Sequence, residues 1–146
     1  MATFLENWVE EQASLTKPAK VYWCDGSEEE KRRLMGIGME EEKIGSQRVF
    51  YQLNQETFPN SYLHRSHPTD VARTEQLTFV CHPDRETVGP NNNWMEPQEA
   101  KEKMLRLWKG CMAGRTMYVL PYMMGHPDSP YAKVCVQITE IGRAHV

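Results

Sequence analysis

The sequence predicts a mixed α/β fold, and three observations carry that reading. Apolar residues recur at helical spacing in separate stretches, and valine-rich or aromatic runs of strand length lie among them. Clusters of Pro, Gly, Asn and Asp separate these stretches as turns do. In chain order, Phe4, Leu5, Trp8 and Val9 share one helical face with Glu6, Glu10 and Glu11 between them, and Pro18 closes the segment. After the short apolar run Val21-Tyr22-Trp23, Ser27 stands three residues before Glu30. This capping-box pattern predicts a second helix from about Glu28, weakened at its far end by Gly36 and Gly38.

Residues 47–53 predict an extended segment, followed by a turn at Phe58-Pro59-Asn60-Ser61 and a loop at His67-Pro68-Thr69-Asp70. Residues 77–81 predict a strand, and residues 89–93 (GPNNN) predict irregular backbone. The clearest helix starts at Pro97. Ala100, Met104, Leu107 and Trp108 form a face expected in the core, and Gly110 stands where a C-terminal cap belongs. Strands are expected over residues 116–122 and 133–139, joined by a turn-rich loop. Met117, Tyr118, Val119 and Leu120, next to Met123 and Met124, read as buried. Arg115, just ahead of that strand, is expected to order the chain by hydrogen bonds to a partner the sequence does not name.

Composition narrows the functions. A chain of 146 residues is within the size of one domain. Its 17 basic and 20 acidic residues leave a net charge of -3, which gives no overall attraction to nucleic acid or to anionic membranes. The longest apolar stretch, around residues 117–124, is too short to span a bilayer, and acidic residues near the N-terminus do not suit a signal peptide. These features predict a soluble cytoplasmic protein. Cys24, Cys81, Cys111 and Cys135 contain no C-x2-C pair and are expected as buried free thiols. His64, His67 and His82 lack the spacing of a metal site.

Four blocks carry a family resemblance. Residues 110–130 (GCMAGRTMYVLPYMMGHPDSP) are the longest, and CDGSEEE at 24–30, DVARTEQLTFVC at 70–81 and GPNNNW at 89–94 accompany them. In order and approximate spacing they resemble the N-terminal domain of GTP-dependent phosphoenolpyruvate carboxykinases. The resemblance implies a partial N-terminal domain over residues 1–139, with several helices and an incomplete mixed sheet that belongs to a larger one in the parent enzyme. The final EIGRAHV at 140–146 resembles a translated sequencing adapter, so this tail is expected to be non-native and dispensable. A natural polar tail is the alternative.

By the same resemblance, the parent enzyme converts oxaloacetate and GTP to phosphoenolpyruvate, GDP and CO2 in gluconeogenesis, as a cytoplasmic monomer using Mn2+ with Mg2+. Arg73 matches the family's substrate-binding arginine on a mobile loop. A guanidinium suits the part because it offers paired N–H donors to a carboxylate. Without the resemblance, such an arginine reads as a surface ion-pair partner. Glu75 matches a glutamate that pairs with other groups as the loop moves, and its plain reading is an exposed acid. Thr74 and His67 depart from the family's usual aliphatic and acidic residues. No G-x-x-x-x-G-K-[ST] loop occurs, and the family's Lys, His and Asp metal ligands have no counterparts. The segment alone is therefore expected to be inactive. Two rival readings are a self-contained module that binds small carboxylates and a purely structural product.

Overall fold

The computed structural model describes residues 3–40, 43–44, 47–64 and 74–141. Helix α1 spans Phe4–Thr16 and is followed by strand β1, Lys20–Trp23, and helix α2, Glu28–Glu40. Short strands come next: β2 (Lys43–Ile44), β3 (Gln47–Arg48), β4 (Phe50–Gln52), β5 (Tyr62–His64), β6 (Phe79–Val80) and β7 (Asn93–Trp94). Helix α3 (Pro97–Trp108) and the long strands β8 (Thr116–Met124) and β9 (Lys133–Thr139) complete the order.

Local chemistry sets the helix ends. The Thr3 hydroxyl accepts from the Glu6 N–H while the Glu6 carboxylate accepts from the Thr3 N–H, so the first turn of α1 is capped from both directions. Lys17 turns left-handed at φ 54°, its N–H donating to the Ala13 carbonyl. The carbonyls of Leu15 and Thr16, which a helix end leaves without internal donors, accept from the N–H groups of Gly110 and Met112. This ties α1 to the turn that precedes β8.

The main sheet has the order β1-β8-β9, with β1 parallel and β9 antiparallel to β8. Pairing runs from Lys20 with Thr116 to Trp23 with Val119, and the N–H groups of Ala19 and Cys24 extend it at either end. On one face Met117 and Val119 are fully buried and pack with Val9 and Met112, with Trp8, Ala13, Val136 and Ile138 around them. Each such burial contributes about 1.5–3 kcal/mol. On the other face Tyr118 packs edge-to-face against Tyr22, ring centroids 5.7 Å apart. Pro121 falls just past the last β8 residue paired with β1. One side of the strand carries no ladder there among the described residues, so the missing N–H costs little.

Several expectations need correction. The extended segment over 47–53 is broken at Val49, where the backbone bends to bury the side chain and turns its carbonyl to the His64 ring Nδ1 at 2.9 Å. The strand expected over 77–81 shrinks to Phe79–Val80, because Glu75–Leu77 winds into a 3-10 turn that leaves Leu77 exposed. Helix α3 forms where expected, but its apolar face is not core. Met104, Leu107 and Trp108 are 43%, 64% and 43% exposed, since no described element covers them. Periodicity reports that a face can be buried, not what buries it. Leu120, Met123 and Met124 are likewise exposed, lying beyond the reach of β1 and α1. The four cysteines are free as expected, but none is buried: Cys24 and Cys135 are partly exposed and Cys81 and Cys111 exposed.

Candidate functional site

Arg73, the expected carboxylate anchor, lies outside the described residues, as do His67 and the loop 67–70. Glu75 is described and opens the 3-10 turn Glu75–Leu77. The Leu77 N–H and the Thr78 hydroxyl both donate to the Thr74 carbonyl, and the Thr78 N–H donates to the Glu75 carbonyl. From across the fold, the Asn93 amide donates to the carbonyls of Glu75 at 2.8 Å and Thr78 at 3.1 Å. The backbone around Glu75 is thus pinned by the GPNNNW segment, while its carboxylate is exposed and makes no ion pair among the described residues.

A second polar cluster, at the end of β1, was only half visible in the sequence. Ser27 caps α2 as expected, its hydroxyl accepting from the Glu30 N–H. The Glu30 carboxylate does not return the bond to Ser27. It reaches past, accepting from the N–H groups of Asp25, at 3.0 Å, and Gly26, at 2.8 Å, and only 6% of the residue is exposed. Burial would raise its pKa. The Gly26 N–H, the Tyr22 hydroxyl and the Asp25 N–H outweigh that and hold it below the ordinary value of 4.5. Asp25 is lowered in the same way, by hydrogen bonds from the Ser27 side chain and backbone.

The cost falls on the neighbours. Tyr22 is pushed above 10.0, first by its hydrogen bond to Glu30 and then by burial, while the Arg33 guanidinium lies 4.4 Å from its ring centroid. Burial first and the Glu30 charge next push the Cys24 thiol above 9.0. Cys24 therefore stays protonated near neutral pH and is a poor nucleophile. The cluster staples the β1–α2 turn. Its sequence signal was the Ser27-Glu30 spacing, which marks a cap without revealing that the acid would serve the loop before it.

The remaining candidates are local in role. His82 Nδ1 accepts from the Asp84 N–H and lies 2.8 Å from the Thr87 hydroxyl, and His64 bonds the Val49 carbonyl. Among the described residues no three His, Cys, Asp or Glu side chains converge as metal donors. Arg115 finds partners on both sides, donating to the Glu140 carboxylate at 2.7 Å and to the Cys111 carbonyl. Glu140, the first residue of the tail that the sequence set apart, is only 12% exposed at its side chain. Among the described residues no helix is long and apolar enough to cross a membrane.

Comparison with known proteins bears on the whole chain. Residues 7–143 match the model of the phosphoenolpyruvate carboxykinase N-terminal domain. A phosphoenolpyruvate carboxykinase (GTP) of Anaeromyxobacter dehalogenans strain 2CP-C is 49% identical over 136 residues, covering 93% of this chain and 22% of the relative. Proteins of the same name from Arthrobacter sp. strain FB24 and Chlamydia muridarum are 47% and 43% identical, over 91% and 93% of this chain and 21% and 22% of theirs. The chain thus spans about a fifth of the length of the curated relatives it matches. With nearly all of its residues inside that match, the chain belongs to the phosphoenolpyruvate carboxykinase N-terminal domain family.

Proposed function

We propose that this chain acts as the N-terminal part of a GTP-dependent phosphoenolpyruvate carboxykinase, in the interconversion of oxaloacetate and phosphoenolpyruvate. The observation that carries the reading is the family match over residues 7–143, supported by relatives of that name. In this reading the Arg73 guanidinium holds the substrate carboxylate through two parallel N–H donors. Glu75 pairs with groups brought near as its loop changes position, and the bonds that hold its backbone give the loop a fixed end to move from. The ligand is a small dicarboxylate or phosphorylated acid in the cytoplasm, not nucleic acid or a membrane, and the parent enzyme is a monomer.

Neither the triphosphate of GTP nor a catalytic divalent ion such as Mn2+ or Mg2+ finds its ligands among the residues described here. The sequence has no phosphate-binding glycine-lysine loop, and no metal-donor cluster forms among the described residues. The chain's own contribution is to bind and orient the substrate carboxylate, and by itself it should form no phosphoenolpyruvate.

The test is a chimera in which residues 7–143 replace the matched segment of the Anaeromyxobacter relative. The chimera should convert oxaloacetate and GTP to phosphoenolpyruvate. Arg73→Ala should then lower kcat/KM by about 100-fold, the loss of roughly 3 kcal/mol of charge-assisted contact, with GTP binding little changed. Kinetics within threefold of the parent chimera would remove Arg73 from this role.

A further inference from the structure

Beside the Glu75 turn lies a cleft of about 580 Å3, within the range that small-molecule sites occupy. Trp94 forms one wall, its ring fixed by the indole N–H, which donates to the His82 carbonyl at 2.8 Å. Arg85 faces it, the guanidinium carbon 5.7 Å from the ring centroid, and no carboxylate pairs with Arg85 among the described residues. A planar ring in contact with both groups needs about 7 Å between them, twice a contact distance of ~3.5 Å. The gap is short by about 1 Å, and Arg85 is an exposed side chain free to move that far.

Apart from Arg85, the polar side chains of the lining offer acceptors. Asn92 spends its amide N–H on the Val88 carbonyl and Asn93 spends its own on Glu75 and Thr78, which leaves both amide oxygens without donors among the described residues. Glu86 adds a carboxylate. A ligand suited to this slot has a flat π-face for Trp94 and Arg85 and N–H donors along its edge. Aliphatic acids have neither, whereas nucleobases with an exocyclic amino group have both.

We propose that this cleft binds a single nucleobase, as a nucleoside or mononucleotide, by stacking it between Trp94 and Arg85 and accepting its N–H groups at Asn92, Asn93 and Glu86. A net charge of -3 and a carboxylate in the lining work against an extended phosphate backbone, so the ligand is one unit rather than a polymer. This binding does not depend on the role given to Arg73, but Asn93, which lines the cleft, also bonds the Glu75 turn. A ligand that holds Asn93 in place also holds the carbonyls of Glu75 and Thr78 to which Asn93 donates.

Guanosine titrated into the 146-residue chain, with the Trp94 indole N–H followed by NMR and assigned through Trp94→Phe, tests this. A saturable shift is expected, with none from ribose. Arg85→Met, which keeps the stem but removes the planar cation, should weaken binding about tenfold. Amide exchange at Leu77 and Thr78 should slow in the complex. No saturable shift with guanosine or with cytidine, a ribose response equal to that of guanosine, or undiminished binding by Arg85→Met would overturn the proposal. Because Arg85 is exposed, that variant remains informative even if Trp94→Phe fails to fold.

Discussion

The ring of Phe50 lies against the backbone of Gly38, so closely that a β-carbon there would stand 2.4 Å from its Cδ2. Helix α2 can approach β4 only because that position has no side chain. Gly36, two residues earlier on the same helix, has nothing within 4 Å of the same hypothetical atom. The two glycines should therefore respond to alanine in opposite directions. Gly36→Ala should stabilise by up to about 1 kcal/mol through helix propensity. Gly38→Ala gains the same amount but must displace a ring held by its strand, at about 1–3 kcal/mol, so it should destabilise. Denaturant unfolding of both variants decides it, and equal shifts would show that Phe50 yields freely.

Glu30 predicts a pH dependence. Its pKa is depressed in the folded chain, so the unfolded chain binds more protons as acid is added. The stability it contributes is present above the ordinary glutamate value and is lost as pH falls through the folded value. Glu30→Gln should lower the thermal midpoint at pH 7 and flatten its decline between about pH 5 and 3. Glu6 and Asp25 are depressed too, so some decline should remain. Parallel profiles for variant and parent would show that the charge of Glu30 is not what holds the turn.

Arg115 and Glu140 join the start of β8 to the end of β9. With Arg115 half exposed, solvent screens the pair, and its loss should cost only about 1 kcal/mol. Ending the chain at Thr139 should then lower the thermal midpoint by roughly 2–6 °C. Ending it one residue later should restore most of the loss. Equal midpoints for the two shortened chains would mean that the pair contributes nothing.

The tip of the β8–β9 hairpin exposes Tyr122, Met123, Met124 and Val134, and the outer face of α3 exposes Leu107 and Trp108. Apolar surface of this kind next to strand edges favours association. The chain should bind a hydrophobic dye such as ANS and self-associate as its concentration rises. Tyr122→Lys together with Met124→Lys should reduce both. A monomer at high concentration that ignores the dye would count against this.

What could be read from the sequence was what is decided locally. The Ser27 cap, the Pro97 start of α3, the turn at Asn60 and the strands around residues 116–122 and 133–139 depend on neighbours a few residues away, and all are found. Features decided at long range were not legible. Besides the nearby Cys111 carbonyl, Arg115 pairs with a carboxylate that the chain supplies at the end of β9, and Val49 breaks a strand because the interior accepts its side chain. The spacing on α3 marked an apolar face correctly while leaving its cover unstated. At the candidate site, the bonds from Asn93 to the Glu75 turn join two blocks recognised separately, with nothing in either to show that they touch.

The parallel pairing of β1 with β8 has a consequence for how the molecule is made. Lys20 meets Thr116, so everything between them must leave the ribosome before β1 gains the one strand neighbour it has among the described residues. At about 5–20 residues per second, α1 and β1 wait on the order of 5–20 s, with Trp8 and Val9 uncovered in the meantime. Pairings so distant along the chain also fold slowly once synthesis is complete. The α1–β1 segment is therefore open to chaperones during synthesis, and slowing translation ahead of residue 116 should raise the yield of aggregate before it changes anything about the finished fold.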